Sequence, residues 1–180
     1  MLAAALSDGS ARVSACGGGV GGVQQQVAIL KLDDGAHLTT VNWSADGRTL
    51  VTCRGDGTVL LWDSRTWQCR ARLSGVHRRA AFGSVFHPAV PELLLTWSSD
   101  GSAGLWDSNA IGEAPPIGAF IPDREANSAL SYPLLRCEFS ERGDALVTAG
   151  GGSEASFMGM PAWFYRFPTH PATGGVGSGI

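Results

Sequence analysis

Residues 50–64 read LVTCRGDGTVLLWDS, and residues 94–108 read LLTWSSDGSAGLWDS. The two stretches align without a gap, and each has an Asp-Gly pair six residues before a Trp-Asp-Ser triplet. They lie 44 residues apart in a chain of 180 residues. An internal repeat with a period of about 20 to 50 residues is typical of solenoid and propeller proteins. We therefore interpret this chain as a repeat protein.

Two partial copies extend the pattern on both sides. Residues 139–148, FSERGDALVT, align with residues 43–52, WSADGRTLVT, and residues 7–11, SDGSA, are identical to residues 99–103. In the first partial copy Ser14 falls where the complete copies have tryptophan. The repeats therefore extend over most of the chain.

The composition favours short strands joined by tight turns. Glycine accounts for 25 of 180 residues, about twice its usual share, and charged residues for 16% against a usual ~25%. Glycine supplies the positive-φ positions that tight hairpin turns need. Part of the glycine excess is thereby explained by the turns between strands.

This pattern resembles the WD40 repeat family. The resemblance is carried by Trp62-Asp63 and Trp106-Asp107, by the Asp-Gly turn before each of them, and by the Gly-x-His triplets at 35–37 and 75–77. It implies an all-β protein, a WD40-type β-propeller whose blades are four-stranded antiparallel sheets. We expect a partial propeller of about three to four blades.

The resemblance also predicts the domain organisation. Residues 1–167 form the repeat region, and residues 168–180, with two prolines and four glycines, form a flexible tail. The repeat region divides into a partial blade, two whole blades and a second partial blade, at residues 1–32, 37–73, 77–121 and 132–167. We expect about half of a ring, a fragment that missing sequence or another chain completes.

Each complete copy predicts four strands. They are expected at about residues 38–44, 49–54, 58–63 and 67–73, and at about 81–86, 93–98, 102–107 and 117–121. Continuous apolar runs such as Val59–Leu61 favour strands that are covered on both faces by adjacent blades. In the last copy, residues 163–166 supply the third strand, with Tyr165 in the place of the tryptophan.

In the WD40 family a histidine, a strand hydroxyl, a turn aspartate and a tryptophan form a hydrogen-bonded tetrad. The resemblance implies two such tetrads here: His37, Thr52, Asp56 and Trp62, and His77, Thr96, Asp100 and Trp106. The family form is Gly-His, whereas one residue intervenes in this chain, which affects the expected loop geometry. Because the tetrads use these histidines and aspartates for structure, we expect no catalysis from them.

The resemblance implies a non-catalytic scaffold for protein–protein interactions, with partners docking on the propeller faces. A propeller enzyme is the alternative in another class, but the sequence has no Gly-x-Ser-x-Gly elbow and no phosphate loop. The cysteines form no Cys-x-x-Cys pair and the histidines lie far apart, so we expect neither a metal nor a cofactor.

Several arginines are candidate contacts for partners. Arg54 lies near the turn aspartate, and Arg124 lies in a long loop; both also fit ordinary solvated surface residues. Arg70 and Arg72 alternate on an outer strand and so face one way. They form either a charged edge that prevents aggregation or a patch for an acidic partner or RNA. The net charge of −3 argues against nucleic acid.

A more specific motif is Trp62-Asp63-Ser64-Arg65. It resembles the Trp-Asp-x-Arg box of WD40 substrate receptors for cullin-4 ubiquitin ligases. The resemblance implies that Asp63 and Arg65 contact the ligase adaptor. The second copy has Asn109 in place of the arginine.

No apolar run approaches the 18 residues that a membrane span needs, so we expect no membrane partner. The apolar residues 1–6 are too few for a signal peptide and follow no basic residue. We therefore expect a cytoplasmic or nuclear protein.

Overall fold

The computed structural model describes residues 1–17, 25–32, 34–112, 115–120, 133–143, 145–150 and 163–166. These residues contain fourteen strands and no helix. The strands are β1 (Leu2–Ala5), β2 (Ser10–Ala15), β3 (Gln25–Lys31), β4 (Leu38–Trp43), β5 (Thr49–Arg54), β6 (Val59–Asp63), β7 (Cys69–Leu73), β8 (Ala81–Phe86), β9 (Leu93–Ser98), β10 (Ala103–Asp107), β11 (Gly118–Phe120), β12 (Leu134–Phe139), β13 (Ala145–Gly150) and β14 (Trp163–Arg166).

The strands form four antiparallel sheets, which we call blades 1 to 4. Blade 1 is β1–β3, blade 2 is β4–β7, blade 3 is β8–β11 and blade 4 is β12–β14. The all-β partial propeller predicted from the repeats is confirmed. In blades 2 and 3 the observed strands begin and end within about two residues of the predicted bounds. The predicted tail at 168–180 lies outside the described residues.

Strand register shows that the blades are copies of one unit. In each blade the tryptophan position of the repeat pairs with the same leucine position on the preceding strand. The pairs are Leu2 with Ser14, Leu50 with Trp62, Leu94 with Trp106 and Leu146 with Tyr165.

The first strands of neighbouring blades face each other. Strand β4 contacts β8, and β8 contacts β12. The Thr39 hydroxyl donates to the Ala81 carbonyl at 2.5 Å, and the Asn42 amide donates to the Ser84 carbonyl at 2.8 Å. These strands therefore form the inner wall around which the blades are arranged.

The core lies between the blades. Along β6, Val59 and Leu61 join an apolar cluster with residues of blade 3, while Leu60 and Trp62 join a second cluster with residues of blade 1. Successive residues of a strand point to opposite faces of its sheet, so blade 2 is covered on both sides. The prediction for the run Val59–Leu61 is confirmed.

The turns and connections meet at two ends of each blade. At the upper end, the connection that enters a blade meets the turn between its second and third strands; the Ser99 amide donates to the Ala80 carbonyl there at 3.0 Å. At the lower end, the other two turns meet, and the Ser64 amide donates to the Arg48 carbonyl at 3.0 Å. Each blade thus presents two compact sets of loops.

In the described part of the chain no helix has the length and apolar character of a membrane span.

Replacing Gly57 with alanine should destabilise the protein more than replacing Gly47. Both glycines have positive φ, 86° and 69°, which costs an alanine about 1–2 kcal/mol. A Cβ at Gly57 would also lie 2.5 Å from the His77 carbonyl oxygen and 2.6 Å from that of Arg79, whereas Gly47 faces open space. We expect the loss in free energy of unfolding to be about 1–3 kcal/mol larger for Gly57→Ala in urea denaturation. Equal losses would contradict the contact between these two blades.

Candidate functional site

A buried hydrogen-bonded network lies at the upper end of blade 3. His77 is 4% exposed; its Nδ1 lies 2.7 Å from the Ser102 hydroxyl and its Nε2 lies 2.9 Å from the Thr96 hydroxyl. The Trp106 indole donates to the same Thr96 oxygen at 3.0 Å, and the Ser102 hydroxyl donates to Asp100 Oδ1 at 2.5 Å. The structure therefore brings together the four residues of the second predicted tetrad, with Ser102 added to them.

Proton positions follow from the donor at one end of this network and the acceptor at the other. The indole can only donate and the carboxylate can only accept. The Thr96 hydroxyl therefore donates to Nε2 of a neutral His77, whose Nδ1–H donates to Ser102. Burial lowers the pKa of His77 against the opposing effect of the Asp100 charge, which agrees with a neutral ring. Every polar group of the network then has a partner.

Asp100 stays ionised at the end of the network. Burial raises its pKa, but hydrogen bonds from the Ser102 side chain, the Arg78 amide and the Ser102 amide outweigh burial and hold the pKa below its ordinary value. The role of Ser102 could have been predicted by comparing the repeats. A serine also follows the Asp8-Gly9 pair, and Ser10 binds Asp8 as Ser102 binds Asp100.

Blade 2 keeps half of this arrangement. The Trp62 indole donates to the Thr52 hydroxyl at 3.0 Å, as in blade 3, and Asp56 accepts the Thr58 amide at 2.9 Å. His37, however, is exposed, and its ring lies over the Cα of Gly55. The prediction that His37 completes the first tetrad is therefore corrected.

The reason is that the two Gly-x-His triplets lie at different distances from the strands that follow them, although their sequences look equivalent. Val41 pairs with Thr52 in blade 2, and Ser84 pairs with Thr96 in blade 3. Counted back along the chain from these pairs, the residue in the position of His77 is Asp34. His37 lies three residues beyond that position, directly before β4, and its ring contacts Gly55 instead.

Asp34 binds Arg54, which is 1% exposed. Arg54 Nη1 donates to Asp34 Oδ2 at 2.8 Å, Nη2 donates to Asp34 Oδ1, and Asp56 Oδ2 lies 3.9 Å from Nη2. The hydrogen bond from Arg54 holds the pKa of Asp34 below its ordinary value. The prediction that Arg54 contacts a partner is wrong, because two carboxylates hold its guanidinium inside blade 2.

The other candidate arginines differ in their surroundings. Arg70 is exposed, but its guanidinium donates to Thr49 of blade 2 at 3.0 Å and to Ser108 and Asn109 of blade 3 at 3.5 and 3.3 Å. It thus connects the two blades at the lower end. Arg72 is exposed on the same strand. Arg124 lies outside the described residues.

The lower turn of blade 2 holds the Trp-Asp-x-Arg box. Asp63 Oδ1 accepts the Thr66 amide at 2.8 Å and the Arg65 amide at 2.9 Å, and these bonds keep the pKa of Asp63 below its ordinary value. The Arg65 side chain is exposed. In blade 3 the matching residue, Asn109, accepts a hydrogen bond from Arg70.

Two of the four cysteines are buried and offer little reactivity. Burial raises the pKa of the Cys53 and Cys137 thiols to about 12, so both stay protonated at neutral pH. All four cysteines are free. Among the residues that the structure describes, no three His, Cys, Asp or Glu side chains lie close enough to share a metal ion.

Two buried tryptophans allow the network to be tested with the same substitution. Trp106→Phe removes the indole donor to Thr96, whereas Trp97→Phe removes a buried N–H that has no hydrogen-bond partner among the residues that the structure describes. We expect Trp106→Phe to lower the free energy of unfolding by about 1–3 kcal/mol more than Trp97→Phe, measured in urea. Equal losses would show that the Trp106–Thr96 bond contributes nothing beyond packing.

Comparisons with known proteins agree with this architecture. A family model described as "WD domain, G-beta repeat" matches residues 25–63, which run from β3 of blade 1 to β6 of blade 2. Jouberin of Mus musculus is 31% identical over 81 residues, which cover 43% of this chain and 8% of that protein. WD repeat-containing protein 25 of Mus musculus is 38% identical over 60 residues, 33% of this chain and 11% of that protein.

A solved structure matches the fold. A chain of the "Crystal Structure of Mitotic Checkpoint Complex" superposes with a TM-score of 0.61 at 20% identity, covering 82% of this chain and 39% of that chain. The present chain thus spans only a small part of its curated relatives and less than half of this structural neighbour. The internal repeat, the strand register and these matches make the chain similar to WD40-repeat proteins, with one repeat matched at residues 25–63 and no subfamily assigned.

Proposed function

We propose that the chain is a non-catalytic scaffold whose protein partners dock on the loops at the ends of its blades. The observation that carries this proposal is the blade 3 network. Its histidine, hydroxyls and carboxylate resemble catalytic chemistry by type, yet the histidine and the hydroxyls are buried and all of these groups are bonded within the network. No hydroxyl of the network is left to attack a substrate, so these groups serve the fold.

The loops at both ends suit docking because they are held in shape before a partner arrives. Asp46, Asp56, Asp63, Asp100 and Asp107 each accept the amide of the residue two positions later. Preorganised loops lose less entropy on binding than free ones. Long exposed arginines such as Arg65 and Arg78 project from these rigid turns.

Two further observations support this proposal. The structural neighbour is a chain of the Mitotic Checkpoint Complex, and the WD40 fold generally serves protein interactions. The four free thiols suit a reducing compartment, so we propose the cytoplasm or the nucleus as the location.

Substitutions at the two ends should test docking. Arg78→Glu at the upper end and Arg65→Glu at the lower end leave the core intact, because both side chains are exposed. We expect quantitative affinity capture from cell extract to lose at least one specific partner with one of these variants, while the outer-strand control Ile29→Ser retains the full set. A partner set that is the same for all variants would contradict docking at the blade ends.

A second candidate function is that of a substrate receptor for a cullin-4-type ubiquitin ligase. The observation that favours it is the lower turn of blade 2, where Asp63 orders the backbone and leaves the Arg65 guanidinium exposed. Of the two complete blades, only blade 2 presents an arginine at this position. Such an exposed, fixed arginine suits recognition by an adaptor protein.

Arg65→Ala is the test of this candidate. If the box is used, binding of the purified ligase adaptor should weaken at least tenfold in Arg65→Ala, and Arg48→Ala, a nearby exposed arginine, should leave it unchanged. Circular dichroism of both variants controls for folding. Adaptor binding that persists in Arg65→Ala, or that is absent in the unmodified chain, would reject this function.

A further inference from the structure

A cleft opens between the inner strands of blades 3 and 4. Its volume is about 290 Å³, and its walls come from β8 and β12, with Thr40 and Asn42 of β4 on the side of blade 2 and Trp97 of β9 behind them. Two apolar side chains of its lining are accessible to solvent: Phe82 is 38% exposed and Leu135 is 50% exposed. Apolar side chains that line a concave site are a common feature of binding pockets.

Equivalent irregularities in the two strands place these side chains. The register of β8 shifts between Ala81 and Gly83, and that of β12 shifts between Leu134 and Arg136. Phe82 and Leu135 are the residues inside these shifts, and a bulge of this kind changes the direction of a side chain. In blade 2 the same position is Thr39, whose hydroxyl is bonded to the Ala81 carbonyl.

The back of the cleft depends on a glycine. A Cβ at Gly83 would lie 2.2 Å from the ring of Trp97, so only glycine lets the indole lie against this part of β8. Trp97 is 7% exposed and packs with residues of blades 3 and 4. The cleft thus has a rigid aromatic wall between the two blades.

Two arginines lie in the connection that enters β8 at the upper end of blade 3. Arg78 and Arg79 are exposed, and neither forms an ion pair with a carboxylate among the described residues. Arg79 precedes Phe82 by three residues, which is at most about 11 Å of extended chain. Arg136 at the cleft is already paired with Glu138 at 2.9 Å. This connection therefore has two arginines available for negative charges of a ligand.

We propose that this cleft binds an extended acidic peptide of a partner protein, with one apolar side chain between Phe82 and Leu135 and with carboxylates at Arg78 and Arg79. This inference rests on the proposed scaffold function and names the kind of partner that the upper end takes. RNA is disfavoured, since two free arginines neutralise few phosphates and the whole chain carries a charge of −3.

The test measures binding of a fluorescein-labelled peptide, Gly-Asp-Glu-Leu-Glu-Asp-Gly, to the full chain by fluorescence anisotropy. We expect binding that weakens about tenfold when the peptide leucine is replaced by serine. Phe82→Ser and Leu135→Ser should each give a similar loss with the original peptide. Arg78→Ala and Arg79→Ala together should weaken binding and reduce its dependence on salt.

Matched controls keep the test independent of folding. Ile29→Ser removes an exposed apolar side chain from an outer strand, and Arg65→Ala removes an exposed arginine at the lower end; both should bind the peptide normally. Equal binding of the leucine and serine peptides, or equal loss in the controls, would overturn the proposal. So would tighter binding of a seven-nucleotide RNA, or dimerisation that Phe82→Ser abolishes. If the peptide fails to bind while capture of partners still depends on the blade ends, the cleft assignment fails and the scaffold function stands.

Discussion

Each blade has apolar side chains on both faces of its sheet, and only another blade can cover them. Val59 and Leu61 pack toward blade 3 while Leu60 and Trp62 pack toward blade 1, so neither cluster exists without two neighbouring sheets. This requirement explains why the blades stack face to face. It also explains why polar groups inside the stack must find partners within the blade or on the next one.

The polar interior meets that requirement in two ways. The Trp–Thr hydrogen bond is the same in blades 2 and 3, because the same strand register places the threonine two residues beyond the leucine that pairs with the tryptophan. What lies above it differs: blade 3 uses neutral His77 and Ser102, whereas blade 2 uses the ion pair of Arg54 and Asp34. The two blades fill the same position, under the turn between the second and third strands, with different polar groups. A polar residue at this position therefore indicates a structural role rather than a functional one.

The repeat made the strands and their register predictable, because both depend on local features such as the Asp-Gly turn before the Trp-Asp pair. The partners of His37 and Arg54 were not predictable in the same way. They depend on how far the entering connection runs before the strand begins, and the similar triplets at 35–37 and 75–77 suggested an equivalence that pairing of Val41 with Thr52 does not allow. Ser102 was within reach of the sequence, since Ser10 follows the same Asp-Gly turn.

The core and the proposed binding cleft are joined through one residue. Gly83 makes room for Trp97 between blades 3 and 4, and the bulge beside it leaves Phe82 accessible. A side chain at position 83 would move the indole, and with it both the packing of blade 4 and the wall of the cleft. The geometry of this surface is therefore set by contacts between blades, so a change in blade packing alters the cleft even when none of its exposed residues is changed.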